Sequence, residues 1–353
     1  MEKYYIIAAI TFFILFINRN KGEKGKLRRI VISLLPLFIF GAVRLNFGAD
    51  YSAYEDFFNG VHSQQNIYDV NDHMEGGFAW LNKALPSFRL LLTLSSFMMC
   101  CSLGYLLYSI VPQKYHALFM VMVLLNTQSC IFFMLSAIRN GFTVAIFVLS
   151  YYFMEKKQWK PLALCAFIGL NIHTSIAIIY ILSLLMMFLP KFTKISAIIW
   201  LSVISFLGFT SLSGLISQVD ILVSLFFDRY EDFVKEAMEI ADNRGLISAL
   251  YAICSSAIYL YYLYTTKKDQ KPELYHYLAL LSIFSMSIGI LGGRMQFYFL
   301  PFMITGACKM LQEWKSQLRF VYVGMTLFLF YMAFSKWISG EYFTYNEIHT
   351  CLE

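Results

Sequence analysis

Residues 30–54 read Ile-Val-Ile-Ser-Leu-Leu-Pro-Leu-Phe-Ile-Phe-Gly-Ala-Val-Arg-Leu-Asn-Phe-Gly-Ala-Asp-Tyr-Ser-Ala-Tyr. Ile30 to Val43 carries no charge, and the run stops on Arg44. Such a run suits hydrocarbon, and an arginine at its end can hold its guanidinium at the lip of a membrane. Asp50, Tyr51 and Tyr54 follow within one short loop, where Gly48 allows a tight turn. Alone, Arg44 reads equally well as a snorkelling residue that ends a helix, and tyrosines belong in interfacial belts anyway. The weight comes from the rest of the chain, where three later sites repeat a polar group at the end of an apolar run: Arg139-Asn140, His173 and Arg294.

The 353 residues are 59% hydrophobic and 14% charged. Their mean hydropathy is +0.60. A soluble domain carries roughly 25% charged residues. The deficit, spread over the whole length, reads as an all-α polytopic membrane protein rather than a barrel of short alternating strands. Twelve apolar segments can be drawn: 4–17, 30–43, 90–110, 117–135, 141–154, 161–172, 175–189, 195–216, 247–264, 275–293, 297–310 and 320–338. The first and sixth are short for a span of ~20 residues. Charge favours twelve nevertheless. With the N-terminus outside, the inner loops 18–29, 111–116, 155–160, 190–194, 265–274 and 309–319 hold 18 of the 28 basic residues and only five acids. Every inner loop then carries a basic residue, as the positive-inside rule expects. The segment 4–17 has a signal-like length, but six basic residues follow it and no small-residue cleavage site appears, so it reads as a retained first helix. The whole of 1–353 reads as one transmembrane domain.

Two outer segments are long enough for structure of their own. Residues 44–89 hold six acids. Residues 217–246 place Phe226, Phe227, Tyr230, Phe233, Ala237 and Ile240 at helical spacing, which predicts an amphipathic helix at the interface. The seven cysteines have neither zinc spacing nor a disulfide framework, and six of them lie in apolar runs as small core residues. No phosphate-binding glycine loop or nucleotide fingerprint is present. The net charge of +6 follows the membrane and gives no argument for nucleic acid. Neither a metal nor another cofactor is expected.

The candidate site residues differ in how much they say. Arg139 is the only charge in 117–154 and must sit at the outer turn of a hairpin; such charges are usually functional and partnered. Asn140 follows it. His173 lies in a run without charge between Lys160 and Lys191, level with Arg139. A lone histidine is more often a core residue, yet an imidazole titrates near neutrality and can take a proton from a hydroxyl. Glu75-Gly-Gly reads as a solvated acid or as a close backbone approach entering a short helix. Gly292-Gly293-Arg294 ends a helix outward, with Tyr298 one turn on. Arg229 and Arg244 can join from the second outer segment. Arginine forks match phosphate oxygens. Several of them beside an apolar bundle suit a lipid with a pyrophosphate head, and the carboxylates, tyrosines and Asn140 suit a sugar acceptor.

At these residues the chain resembles the EpsG-like branch of the Wzy-type polysaccharide polymerases. The family pattern of an arginine, then Gly-x-Asp-Tyr-x-x-Tyr, is matched by Arg44, Gly48, Asp50, Tyr51 and Tyr54. Its acid-glycine-aromatic element is matched by Glu75 to Phe78, and its Ile-Arg-(Gln/Asn) by Ile138, Arg139 and Asn140. His-x-Ser is matched by His173 and Ser175, and a late Arg-x-x-x-Tyr by Arg294 and Tyr298. Asn140 stands where the family more often has glutamine. The resemblance implies a metal-independent, lipid-dependent glycosyltransferase with a GT-C-like bundle. It would join oligosaccharide repeat units carried on undecaprenyl pyrophosphate, in O-antigen, capsule or exopolysaccharide synthesis. The site would face outward from the bacterial inner membrane, with membrane lipid around it and a chain-length regulator protein as partner. His173, Asp50 and Glu75 are the candidate catalytic residues. Arg44, Tyr51, Tyr54, Arg139, Asn140, Arg229, Arg244, Arg294 and Tyr298 are the candidate substrate ligands. A flippase of the same pathway would show charges through the membrane and a repeat between halves; neither is visible. An O-antigen ligase shares the plan and differs in acceptor.

The charge asymmetry generates a topology test. Single cysteines placed near Arg44, Arg139, His173 and Arg294 should react with an impermeant thiol reagent added from outside intact cells. Labelling at 155–160 under the same conditions would overturn the twelve-span arrangement.

Overall fold

The computed structural model describes residues 2–18, 24–45, 50–63, 74–126, 136–212, 246–287, 290–339 and 349–350. Fourteen α-helices occur among them. They are α1 (Glu2–Ile17), α2 (Lys26–Val43), α3 (Tyr51–Ser63), α4 (Gly76–Ala84), α5 (Phe88–Ser109), α6 (His116–Leu125) and α7 (Ile138–Glu155). There follow α8 (Trp159–Ile172), α9 (Ile176–Met187), α10 (Lys194–Leu212), α11 (Leu246–Thr266), α12 (Leu274–Ser287), α13 (Ile290–Glu313) and α14 (Leu318–Ser339). Each of the twelve apolar segments overlaps a helix among the described residues, and α3 and α4 are additional, inside the first outer segment. Among the described residues α5, with 22 residues, meets the length and apolarity of a span.

Local chemistry sets several helix ends. Ser87 caps α5, its hydroxyl accepting from the Leu90 amide at 3.3 Å. The chain leaves α2 in extended conformation at Arg44, where β1 (Arg44–Leu45) pairs antiparallel with β2 (His349–Thr350). That two-residue ladder is the only strand pairing among the described residues. Residues 275–293 read as one apolar run, but α12 ends at Ser287 and α13 already includes Gly292 and Gly293. Arg294 therefore lies in the opening turns of α13 instead of ending the preceding helix. Two glycines cost a helix only about 1 kcal/mol each, which neighbouring packing readily outweighs.

The described residues group into two compact units, 1–185 with 330–353, and 186–329. In the first unit α2 packs on α1 and α5, α5 on α7, and α7 on α8, while α1 also meets α6. Over one end of this row lie α3 and α4, packed on each other, with α4 against α8. Tyr51, Tyr54, Phe57, Phe58 and Val61 of α3 turn inward and meet Phe78 of α4, Phe88 of α5 and Ile138 and Phe142 of α7 in one buried cluster. Tyr54 meets Phe78 edge-on at 5.8 Å, and Tyr51 meets Phe88 at 5.3 Å. Ser52, Ala53, Asp56 and Asn59 face outward, so α3 is amphipathic.

Large apolar side chains stand exposed along α1, α8 and α9, among them Phe13 and Phe167 at 61% and 66% of full exposure. Such continuous apolar faces are foreign to a soluble surface and suit lipid.

In the second unit α12 packs on α13 and α11, and α10 on α11. Several of its buried polar groups are paired. Tyr259 Oη and His276 Nδ1 share a hydrogen bond at 2.9 Å, and Tyr262 donates to Glu313 at 2.8 Å. Lys267 lies between Glu273 and Glu313, at 3.3 and 3.6 Å. Gly306 faces Tyr259 so closely that a Cβ there would collide with its hydroxyl. Gly306→Ala should therefore destabilise the protein by roughly 1–3 kcal/mol. Thermal unfolding in detergent reads this as a lower midpoint, and adding Tyr259→Phe should recover part of it. An unchanged midpoint for Gly306→Ala would contradict this packing.

Candidate active site

Three loops and helix ends bring the site together in the first unit. Glu75 occupies the residue before α4, at φ −67° and ψ 140°, but its side chain makes no capping bond to its own helix. Its backbone carbonyl accepts from the Phe78 and Ala79 amides instead. The freed carboxylate reaches across to two other helices. Oε2 accepts from Arg139 Nη1 at 2.6 Å, in the first turn of α7. Oε1 lies 2.9 Å from His173 Nδ1 and accepts from the Thr174 amide at 3.0 Å. The same arginine nitrogen approaches Met74 Sδ at 3.2 Å.

Glycine makes this reach possible. A Cβ on Gly77 would lie 2.6 Å from the Asn171 carbonyl oxygen, so α4 sits directly on the last turn of α8. Glu75-Gly-Gly is thus a close backbone approach entering a short helix, and Gly77 makes the contact while Gly76 has open space around it. Past that turn α8 stops. His173 is extended, at φ −158° and ψ 118°, and α9 begins three residues later. A Cβ on Gly169 would stand 2.8 Å from Ile176 Cδ1, which shows how tightly α9 folds back on α8.

The electrostatics follow from this geometry. Burial pushes the Glu75 carboxyl up, but the His173 hydrogen bond, the Arg139 charge and the Thr174 amide outweigh it and hold it at about 2. A carboxyl depressed from its ordinary value stabilises the fold fully above about pH 4.5, and that contribution is lost as pH falls toward 2. Near neutrality the carboxylate is ionised and acceptor-only. A neutral imidazole that faces it with Nδ1–H has its lone pair on Nε2. His173 is 3% exposed, and Nε2 is buried with no hydrogen-bond partner among the described residues. Burial also pushes the Tyr54 phenol up to about 12, against the pull of Arg139, so it remains a neutral hydroxyl beside Arg139, Asp50 and Glu75.

A second cationic locus lies at the end of α2. Arg44 is fully buried; its Nη1 donates to the Gly41 carbonyl and, at 3.0 Å, to Ser96 Oγ. Its Nε and Nη2 have no hydrogen-bond partner among the described residues. Arg89, in the first turn of α5, donates to the Ala42 and Arg44 carbonyls at 3.2 Å each. Arg89 is absent from the sequence-derived candidates. A signal exists for it, since it is the only charge between Lys83 and Lys114. Thr174 is likewise absent from them, because a backbone amide leaves no trace in composition.

The first unit thus assembles Arg44, Asp50, Tyr51, Tyr54, Glu75, Arg139, Asn140 and His173 at one end of its helices. Asp50 is exposed just ahead of α3, and Asn140 is half-buried beside Arg139. Arg294 and Tyr298 belong to α13 of the second unit, where Tyr298 is buried. Arg229 and Arg244 lie outside the described residues, as does most of the predicted interfacial helix 217–246. Among the described residues no group of histidine, cysteine and carboxylate side chains forms a metal site.

A family model described as the EpsG family matches residues 26–347, which span both units and every candidate residue. The chain belongs to the EpsG family. As an EpsG family member it is a membrane protein of polysaccharide biosynthesis with a polymerase-like, glycosyltransferase-like function. No curated protein and no solved structure matches the chain.

The glycine pair gives this EpsG family member a built-in control. Gly77→Ala should push α4 off α8, lower the unfolding midpoint by the equivalent of about 1–3 kcal/mol, and cut polymer formation. Gly76→Ala, with nothing near its Cβ, should change stability by less than about 1 kcal/mol. Equal effects of the two substitutions would mean that the α4–α8 contact does not hold Glu75.

Proposed function

We propose that the protein joins lipid-linked oligosaccharide repeat units at the outer face of the bacterial inner membrane, with undecaprenyl pyrophosphate as carrier and leaving group. The twelve-span topology and the outward site belong to this proposal. One observation carries it: a single carboxylate holds both a guanidinium and an imidazole, and the imidazole keeps a buried nitrogen with no partner among the described residues. An unpartnered buried polar atom costs about 1–3 kcal/mol, a cost that functional sites retain.

In this reading Glu75 orients His173, and Nε2 takes the proton of the acceptor hydroxyl as its oxygen bonds to the anomeric carbon of the donor glycan. The bond from that carbon to the pyrophosphate oxygen breaks, and undecaprenyl pyrophosphate departs with the electron pair. Before the step, Glu75 and Arg139 cancel in charge; afterwards the imidazolium leaves the cluster positive, beside a departing anion. Arg139 and Arg44 supply positive charge to that anion. Asp50, Tyr51, Tyr54 and Asn140 offer hydrogen bonds to sugar hydroxyls. A donor activated in advance requires neither nucleotide nor metal, and a chain-length regulator is the expected protein partner.

His173→Gln preserves approximate size and some hydrogen bonding but accepts no proton, so it should slow polymerisation by about 10²–10⁴. Arg139→Lys should recover little of the loss in Arg139→Ala, because lysine offers no fork. If His173→Gln keeps the rate and pH profile while Asp50→Asn is inactive, Asp50 is the base. Cells lacking the protein should carry single repeat units; full-length polymer missing only its final attachment would indicate a ligase.

A further inference from the structure

One face of α4 is left uncovered. Phe78, Ala79 and Asn82 are buried, whereas Gly76, Trp80, Lys83 and Ala84 stand exposed at the spacing of a single helix face. Trp80 keeps 59% of its full exposure. Among the described residues no ring packs on it and its indole N–H has no hydrogen-bond partner. A bare indole is unusual, because tryptophan is highly buried on average and its N–H usually finds an acceptor. The glycine pair accounts for it. A long helical side chain leans back over residues i−3 and i−4, which for Trp80 are Gly77 and Gly76. Neither has a side chain to cover a ring. Gly77 is taken up by the Asn171 contact, but a Cβ on Gly76 would meet nothing within 4 Å. An open strip therefore leads from Trp80 across Gly76 to Glu75, over about 7 Å of helix axis. Glu75 is the carboxylate that holds Arg139 and His173. Asn171 and Thr174 stand exposed beside the strip.

The surroundings say what lies on that indole. Tryptophan also serves at membrane interfaces. Faces of this chain that suit lipid carry runs of large apolar side chains, as on α8, where Leu164, Phe167, Ile168 and Leu170 are all exposed. The exposed face of α4 has no large apolar side chain besides Trp80, and Lys83 follows it within one turn. A flat, partly polar ligand fits such a face better than hydrocarbon does. The C–H groups on one face of a sugar ring are weakly positive and pack on the negative face of an indole. We propose that Trp80 is a stacking platform for a sugar ring of the glycan whose reacting end lies at Glu75, Arg139 and His173. The platform takes its glycan from the polymerase reading and none of that reading's chemistry.

The test uses the purified full chain in detergent. The probe is the oligosaccharide repeat unit released by mild acid from the producing cell's own lipid-linked glycan, with binding measured by calorimetry. Trp80→Leu keeps an apolar side chain without a flat face. It should weaken binding about 3–10-fold, and Trp80→Tyr, which keeps a ring, should recover most of the loss. Trp159→Leu, at another exposed indole, should bind as the wild type does. In polymerisation Trp80→Leu should raise KM by the same factor and leave kcat unchanged, because the ring holds substrate and transition state equally. Wild-type affinity in Trp80→Leu would overturn the platform and leave Trp80 as a membrane-interface anchor. An equal loss in Trp159→Leu, or no binding by the wild type, would overturn it as well. Binding that depends on Trp80 in a protein that forms no polymer would keep the platform and refute the polymerase reading. Polymer formed by Trp80→Leu with an unchanged KM would do the reverse. If Trp80→Leu fails to fold, Trp80→Gln decides by the same binding measurement.

Discussion

The Glu75 carboxylate is the interaction on which the rest of the first unit depends. It accepts from a guanidinium, an imidazole and a backbone amide, drawn from the start of α7 and the turn after α8. In water such contacts would each be worth little. At a partly buried helix end they are worth more. The short helices above the bundle deliver this one group. Aromatic packing of α3 on α4, α5 and α7 fixes the platform, and the Gly77 approach sets its distance from α8.

Two kinds of positive charge stand at that end of the unit. Arg139 is balanced by Glu75, so its fork is held in one direction and its charge is locally cancelled. Arg44 is buried against carbonyl and hydroxyl oxygens, with Arg89 bound to the same helix end. Dipoles of that kind orient a cation without neutralising it.

Much of this architecture is legible in the amino-acid sequence. Every apolar run overlaps a helix among the described residues, because a dozen or more residues without charge have few alternatives in lipid. Arg44, Arg139 and His173 stand out because charge or imidazole is rare in such runs. The short helices are harder to read. Tyr51, Tyr54, Phe58 and Val61 recur at helical spacing, yet Glu55 and Asp56 between them give the segment the look of a loop. Glu75 reads as an acid that could hold sugar hydroxyls, because nothing in a sequence reveals that partners 64 and 98 residues away converge on it. Arg294 sits one helix later than its two glycines suggest, since a packed helix tolerates glycine better than an isolated one. The pairing of Arg44 with Thr350 joins residues far apart in the chain and has no local signal.

Because one carboxylate couples α4, α7 and the turn after α8, the chemistry and the architecture of this end cannot be altered independently. A substitution aimed at Glu75, Arg139 or His173 to change what the protein accepts would also loosen the platform that presents the site. The outward face of α3 is different. Ser52, Ala53, Asp56 and Asn59 project from a helix whose other face is locked into the aromatic cluster. They form a rigid, replaceable surface at the rim, where redesign or natural drift can reshape recognition while the buried hub stays intact.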